Sequence, residues 1–206
     1  MITLYYSPNS CSLAVHLALE LAWAYYIAEK VQIGSPEFKA IAPKGAVPAM
    51  RDGNSQTMTQ WPALLKYVAT KFPEKNLGSD GTLEWQFDFD QAMAFVNSDL
   101  HTSFNSCYWA ARFTTDSSEE AIANVKNASF ARIERQLGFL EEMLAWKEFL
   151  VQNRLTVVDF YAYTVSRWGN FVLPNGLTKY PNILAHHARL EQMPEVQKVL
   201  AVHNPK

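Results

Sequence analysis

The spacing of apolar positions changes near residue 75, and that change divides the chain. From Ile2 to Tyr6 a short β-prone run ends in Ser7-Pro8-Asn9-Ser10, whose turn formers and hydroxyls suit a strand that turns into a capped helix. Leu13, Leu17 and Leu21 then recur at every fourth position with Ala14 and Ala18 beside them, one stripe on a helix. Between Trp23 and Ile33 no Gly or Pro breaks that helix, yet Tyr25-Tyr26-Ile27 and Val31-Gln32-Ile33 have strand character, so periodicity leaves the boundary open. Ser35-Pro36 interrupts the chain, and Ala42-Pro43-Lys44-Gly45 turns it into Ala46-Val47-Pro48-Ala49-Met50. Pro48 cannot donate to a ladder and therefore marks a strand edge or start and a candidate cis bond. Asp52-Gly53-Asn54 reads as a hairpin turn leading to Gln56 and Met58, and Thr59-Gln60-Trp61-Pro62 as the cap of a helix whose apolar face is Leu64, Leu65, Tyr67 and Val68. The predicted order to residue 75 is β-α-β-α-β-β-α.

Beyond Phe72-Pro73-Glu74 the chain is polar to Thr82, with Gly78 and Gly81, which suits a linker over 76–82. From there only helical spacing remains. Trp85, Phe89, Ala92, Val96 and Leu100 keep one stripe, and Ile122, Val125, Phe130, Ile133, Leu137, Leu140 and Leu144 another; two further helices are predicted to start near Thr156 and near Tyr180 or Pro181. The expected architecture is an α/β domain over 1–75 and an all-α domain over 83–206.

Composition narrows the function classes. With 206 residues, 49% hydrophobic and 18% charged, the chain has the apolar material for a core and is not disordered. Eighteen Lys+Arg against 20 Asp+Glu give no basic field for nucleic acid, and no run is apolar over the ~18 residues that a membrane helix needs. The two cysteines, Cys11 and Cys107, make neither a disulfide framework nor a metal-ligand spacing; His16, His186, His187 and His203 add none, so no metal is expected. A reducing, cytoplasmic setting is the expectation.

Cys11 is the first candidate for chemistry. Just after a strand-ending turn and at a helix start, a thiol meets unpaired N–H groups and the positive end of the dipole, which predicts a pKa below the free-cysteine ~8.5. Taken alone, a cysteine is more often a small buried hydrophobe, so the rest of the domain must decide. No resolving cysteine follows three positions on, because Ala14 stands there. Ser10 and Ser12 offer hydroxyls to a thiolate, although capping is the commoner role of such serines and is expected of at least one. Cys107, beside Tyr108 and Trp109, reads as core; Thr156-Val157-Val158-Asp159 reads as a helix N-terminal box, so Asp159 is structural.

Five segments in order resemble the cytosolic glutathione transferases, closest to their bacterial beta class: Leu4 to Leu13, Ala42 to Met50, Ser98-Asp99-Leu100-His101-Thr102-Ser103-Phe104, Arg154 to Asp159, and Lys179-Tyr180-Pro181-Asn182-Ile183. The resemblance spans almost the whole chain. It implies a thioredoxin-like first domain that binds glutathione as co-substrate and a helical domain that covers the pocket for an apolar electrophile. By position, Cys11 is implied to meet the tripeptide sulfur, His101 to complete the site from the helical domain, and Val47, before a cis Pro48, to present backbone groups to the cysteinyl part. Ser10 joins them as a thiolate contact.

The chain departs from the family where an acidic residue and a small one usually precede the third helix, because Gln60 and Trp61 stand there. Gln60 keeps an acceptor but loses the charge-assisted contact, and Trp61 brings a large ring where the tripeptide would lie. The segment between Val31 and Ile41, whose one basic residue is Lys39, is expected to lack a cation beside the glycyl end, and Thr102 stands where lysine is frequent. The resemblance also implies a homodimer. Three functions follow: conjugation of glutathione to an apolar electrophile, a non-catalytic binding protein on the same fold, or a monothiol glutathione-dependent disulfide reductase.

Overall fold

The computed structural model describes residues 1–203. Its first part holds β1 (Ile2–Tyr6), α1 (Ser12–Leu21), β2 (Tyr26–Lys30), α2 (Pro36–Ile41), β3 (Ala49–Asp52), β4 (Met58–Thr59) and α3 (Trp61–Lys71), the order expected from the sequence. The sheet runs β2-β1-β3-β4, with β1 parallel to β2 and antiparallel to β3. The boundary that periodicity left open falls at Leu21. Trp23 takes a φ of 51° and the Ala24 N–H donates back to Leu19 O at 3.0 Å, so the helix closes and frees the chain for β2.

Period-two alternation decides which face of the sheet each residue serves. Ile2, Leu4, Tyr6 and Met50 pack with α1 and α3 in a large core, while Tyr5 and Ala49 pack with Phe38 of α2 and Val47 on the other face. The large core runs without a break into the helical part, where α1 packs against α7 and α10.

That second part contains α4 (Leu83–Ala94), α5 (Asn105–Tyr108), α6 (Glu119–Met143), α7 (Val157–Ser166), α8 (Gly169–Val172), α9 (Pro181–Glu191) and α10 (Pro194–His203). Two expectations need correction here. The stripe from Trp85 to Leu100 is not one regular helix, because the backbone widens to π geometry over Phe95–His101. Near the C-terminus, the short α8 and the separate α10 join the two helices expected, Pro194 opening the last of them. No helix among the described residues is long and apolar enough to cross a membrane.

α7 is anchored by a polar knot. Asp159 is fully buried; its Oδ2 accepts from the Thr156 N–H at 2.8 Å and from Thr156 Oγ1 at 3.1 Å, and its Oδ1 accepts from the Leu150 N–H at 2.9 Å and contacts His186 Nε2 at 3.1 Å. Thr156 completes the capping box that the sequence predicted. This knot ties α7 to α9 and to the loop before it, and α7 carries Tyr161 towards the site.

Candidate active site

Cys11 occupies the N-cap position of α1, at the end of the turn that leaves β1. The expected serine cap takes a different form: no side chain caps the helix in the usual way, and the Ser12 N–H donates to Ser10 Oγ at 3.2 Å while that hydroxyl donates to Ser7 O at 2.7 Å. Across from it stands Val47, whose bond to Pro48 is cis. The Cys11 thiol donates to Val47 O at 3.4 Å.

Trp61 is the first residue of α3, and Gln60 before it takes a φ of 77°, left-handed backbone that non-glycine residues rarely adopt. Neither Thr59 nor Gln60 caps the helix, since the side chain at the cap position makes no such hydrogen bond. His101 closes the π segment, a geometry that recurs at functional sites. The rings of Trp61 and His101 meet edge to face with centroids 4.2 Å apart.

Tyr161 fixes the tautomer of His101. Its hydroxyl donates to Asn97 Oδ1 at 3.1 Å and therefore accepts from His101 Nδ1, 2.9 Å away, which leaves Nε2 as the acceptor nitrogen of the ring. Burial pushes His101 down to about 4, so the ring is neutral near pH 7.

These residues converge on one cleft of about 630 Å³ between the two halves of the chain. Cys11, Ser10, Val47 and Trp61 form its first side; His101 and Asn105 form the second, and Tyr108, Trp109, Trp168 and Phe171 build an aromatic wall. Trp109 and Phe171 are 53% and 68% exposed, so the wall reaches the mouth. Among the described residues, no Asp, Glu, Lys or Arg lines the cleft. A smaller cavity of about 130 Å³ lies beyond Trp61, lined by Lys44, Pro48, Thr59 and Gln60. Ser10, Cys11, Val47, Pro48, Gln60, Trp61 and His101 thus each border one cavity or the other, while Ser12 is buried behind them.

The expected electrostatics of Cys11 are reversed. Burial pushes its thiol up to about 12, outweighing the N–H groups of Cys11 and Ser12, the Ser10 hydroxyl and the Trp61 indole, all of which favour the thiolate. The helix-end donors are present as anticipated, but desolvation is the larger effect. Cys11, half-buried on the cleft wall, is therefore a neutral thiol at pH 7.

Sequence reasoning missed several residues that line the cavities or stand behind their walls. The aromatic wall was visible only as an excess of aromatics, 13% of the chain. Asn105 had no signal, and Tyr161 is a fully buried tyrosine like many others. Lys44 read only as part of a turn, yet it supplies the cation of the smaller cavity.

Comparison with known proteins agrees with this layout. The family model described as glutathione S-transferase, C-terminal domain, matches residues 99–203. A glutathione S-transferase of Escherichia coli O157:H7 is 27% identical over 98% of this chain and 99% of its own. A bacterial beta-class glutathione S-transferase of Sphingomonas chungbukensis superposes with a TM-score of 0.85 at 31% identity, over 98% of each chain. A sphingomonad glutathione S-transferase solved in complex with glutathione superposes with a TM-score of 0.84 at 28% identity, over 99% of this chain and 100% of its own.

Proposed function

The chain belongs to the glutathione S-transferase family, and from that premise we propose that its cleft holds the glutathione thiol beside Cys11 and conjugates it to an uncharged aromatic electrophile. The observation that carries this reading is the placement of Cys11, Val47, Trp61 and His101 around one cleft whose far wall is aromatic. A thiolate at the Cys11 end faces that wall directly. Cys11, held as a neutral thiol, donates its S–H to the co-substrate sulfur. The sulfur lone pair attacks the electrophilic carbon, a C–S bond forms, and the leaving group departs with its electron pair. Rate gain comes from the thiolate fraction and from proximity of two bound reactants.

The raised pKa of Cys11 favours this role over the monothiol reductase, which needs Cys11 itself as an ionised nucleophile. The absence of charge around the main cleft favours a neutral second substrate, and Lys44 beside Gln60 offers one cationic contact for a tripeptide carboxylate. Gln60 and Trp61 favour a second reading, a fold that binds without catalysing. Titration calorimetry with glutathione followed by an assay with an activated aryl halide separates the two: binding with turnover is expected, whereas binding without turnover, or no binding at millimolar ligand, sinks the transferase reading and favours the second. The family also implies a homodimer. Leu83, Phe87 and Phe139 expose apolar side chains on α4 and α6 for it, and sedimentation at micromolar concentration tests it.

A further inference from the structure

Two polar side chains stand open in the aromatic wall of the cleft. Asn105 and Tyr108 both line it and both are exposed, Tyr108 at 46%. Among the described residues, neither the Asn105 carboxamide nor the Tyr108 hydroxyl makes a hydrogen bond. Ser103, Phe104, Ser106 and Cys107 between them are buried, so the spacing turns His101, Asn105 and Tyr108 to one face. His101 stands at the thiol end, against Trp61; Asn105 follows one helical turn later and Tyr108 nearly two. A polar row thus runs from the thiol site along the wall.

Tyr108 is held as a donor. Its ring stacks on Phe104 with centroids 6.4 Å apart and meets Trp168 edge to face at 5.8 Å. Burial, with Cys107 beside it, pushes the phenol up to about 12, so it keeps its proton wherever a thiolate reacts. A ligand that fills the cleft strips water from both groups. A hydrocarbon would leave them unmatched, whereas an acceptor oxygen on the ligand meets both. Attack by sulfur also moves charge: the displaced π pair collects on any oxygen conjugated to the reacting carbon, and fixed donors act most strongly where charge develops.

We infer that Asn105 and Tyr108 are a donor pair for an oxygen conjugated to the reacting carbon of the electrophile, which selects a carbonyl- or nitro-bearing aryl compound. This rests on the proposal that the cleft conjugates glutathione to an aromatic electrophile. With an aryl enone, the thiol proton leaves to water and the sulfur lone pair forms the C–S bond at the β carbon. The C=C π pair shifts to give an enolate oxygen, which Tyr108 O–H and Asn105 N–H hold until carbon takes a proton from water. With a nitroaryl halide the same donors hold the nitro oxygens of the adduct until halide departs with its electron pair. Neither residue gives up its own proton.

Tyr108→Phe keeps the ring packing and removes the hydroxyl, and Asn105→Ala removes the carboxamide. Steady-state conjugation with glutathione is measured for benzylideneacetone, for chlorodinitrobenzene, and for benzyl chloride, whose reacting carbon has no conjugated oxygen. The expected result is a fall in kcat/KM for the first two of about tenfold in Tyr108→Phe and about threefold in Asn105→Ala, with benzyl chloride kept within about twofold. A fall confined to the enone or to the nitroaryl halide upholds the pair and assigns it to that oxygen. Equal falls for all three, or no fall in either variant, overturn the inference and leave the conjugation reading standing. A wild type that conjugates none of the three overturns both. Should Tyr108→Phe fold poorly, Asn105→Ala decides the matter by the same ratios, since Asn105 is exposed.

Discussion

Two polar clusters hang on residues only two apart in α7, Asp159 and Tyr161, and they are built on opposite terms. Around Asp159 the donors are answered: two backbone N–H groups, a hydroxyl and an imidazole meet the carboxylate. Around Tyr161 and His101 the cluster opens into a cleft, with a partnerless indole N–H, a left-handed Gln60 and a π-helical segment. A closed network contributes stability, whereas an unfinished one spends some of it on a place for a ligand. The difference separates residues that hold the fold from residues that use it.

The widest gap should appear on breaking the closed cluster. Asp159→Ala strands the Leu150 and Thr156 N–H groups and is expected to cost about 3–5 kcal/mol in denaturant unfolding, with glutathione affinity of the folded fraction unchanged. Should Cys11→Ala or Trp61→Phe cost as much, the contrast would break down.

Acid acts on a third cluster. His16 on α1 and His203 on α10 meet at 3.1 Å, packed against Tyr6 and, through His16, Tyr26, with Glu20 and its partner Lys198 nearby. Burial pushes His16 down to about 4 and His203 to about 3. A histidine depressed in the fold takes up its proton more readily when unfolded, so its stabilisation is complete above the ordinary value near 6.5 and is lost as pH falls towards 4. The expected loss is on the order of 3 kcal/mol from each histidine, roughly 6 from the pair, by pH 4. Thermal melts against pH should show it, and His16→Gln should flatten the slope while leaving the cleft's affinity intact.

Smaller effects belong to the open cluster. Cys11→Ala should change stability by less than about 1 kcal/mol but lower kcat/KM for conjugation roughly tenfold, through loss of one donor to the thiolate. In the ligand-free protein, alkylation of Cys11 should rise only well above the free-cysteine value of about 8.5. An inflection below that value would contradict the dominance of burial at this thiol.

What the sequence made legible follows the same divide. The β-α-β order could be read because its punctuation is local: Ser7-Pro8, Ser35-Pro36 and Asp52-Gly53 fix the turns by their own backbone preferences. Asp159 could be read for the same reason, since the box spans three positions. Cys11 could be located but not titrated. The donors that lower its pKa lie mostly beside it in sequence, while the burial that raises it depends on residues such as Val47, Trp61 and His101 brought from afar. Trp61 was visible as a departure, yet nothing in one dimension shows that its N–H lacks a partner. The π segment is likewise hidden, because Val96 and Leu100 keep the four-residue spacing of an ordinary helix.

The central claim, that the open cluster is completed by a thiol ligand, is tested most directly by a crystal structure of the protein soaked with glutathione. The sulfur should lie within hydrogen-bond distance of Cys11 Sγ, with the indole still edge-on to His101. A cleft without glutathione, or a tripeptide seated where a displaced Trp61 ring used to be, would contradict it.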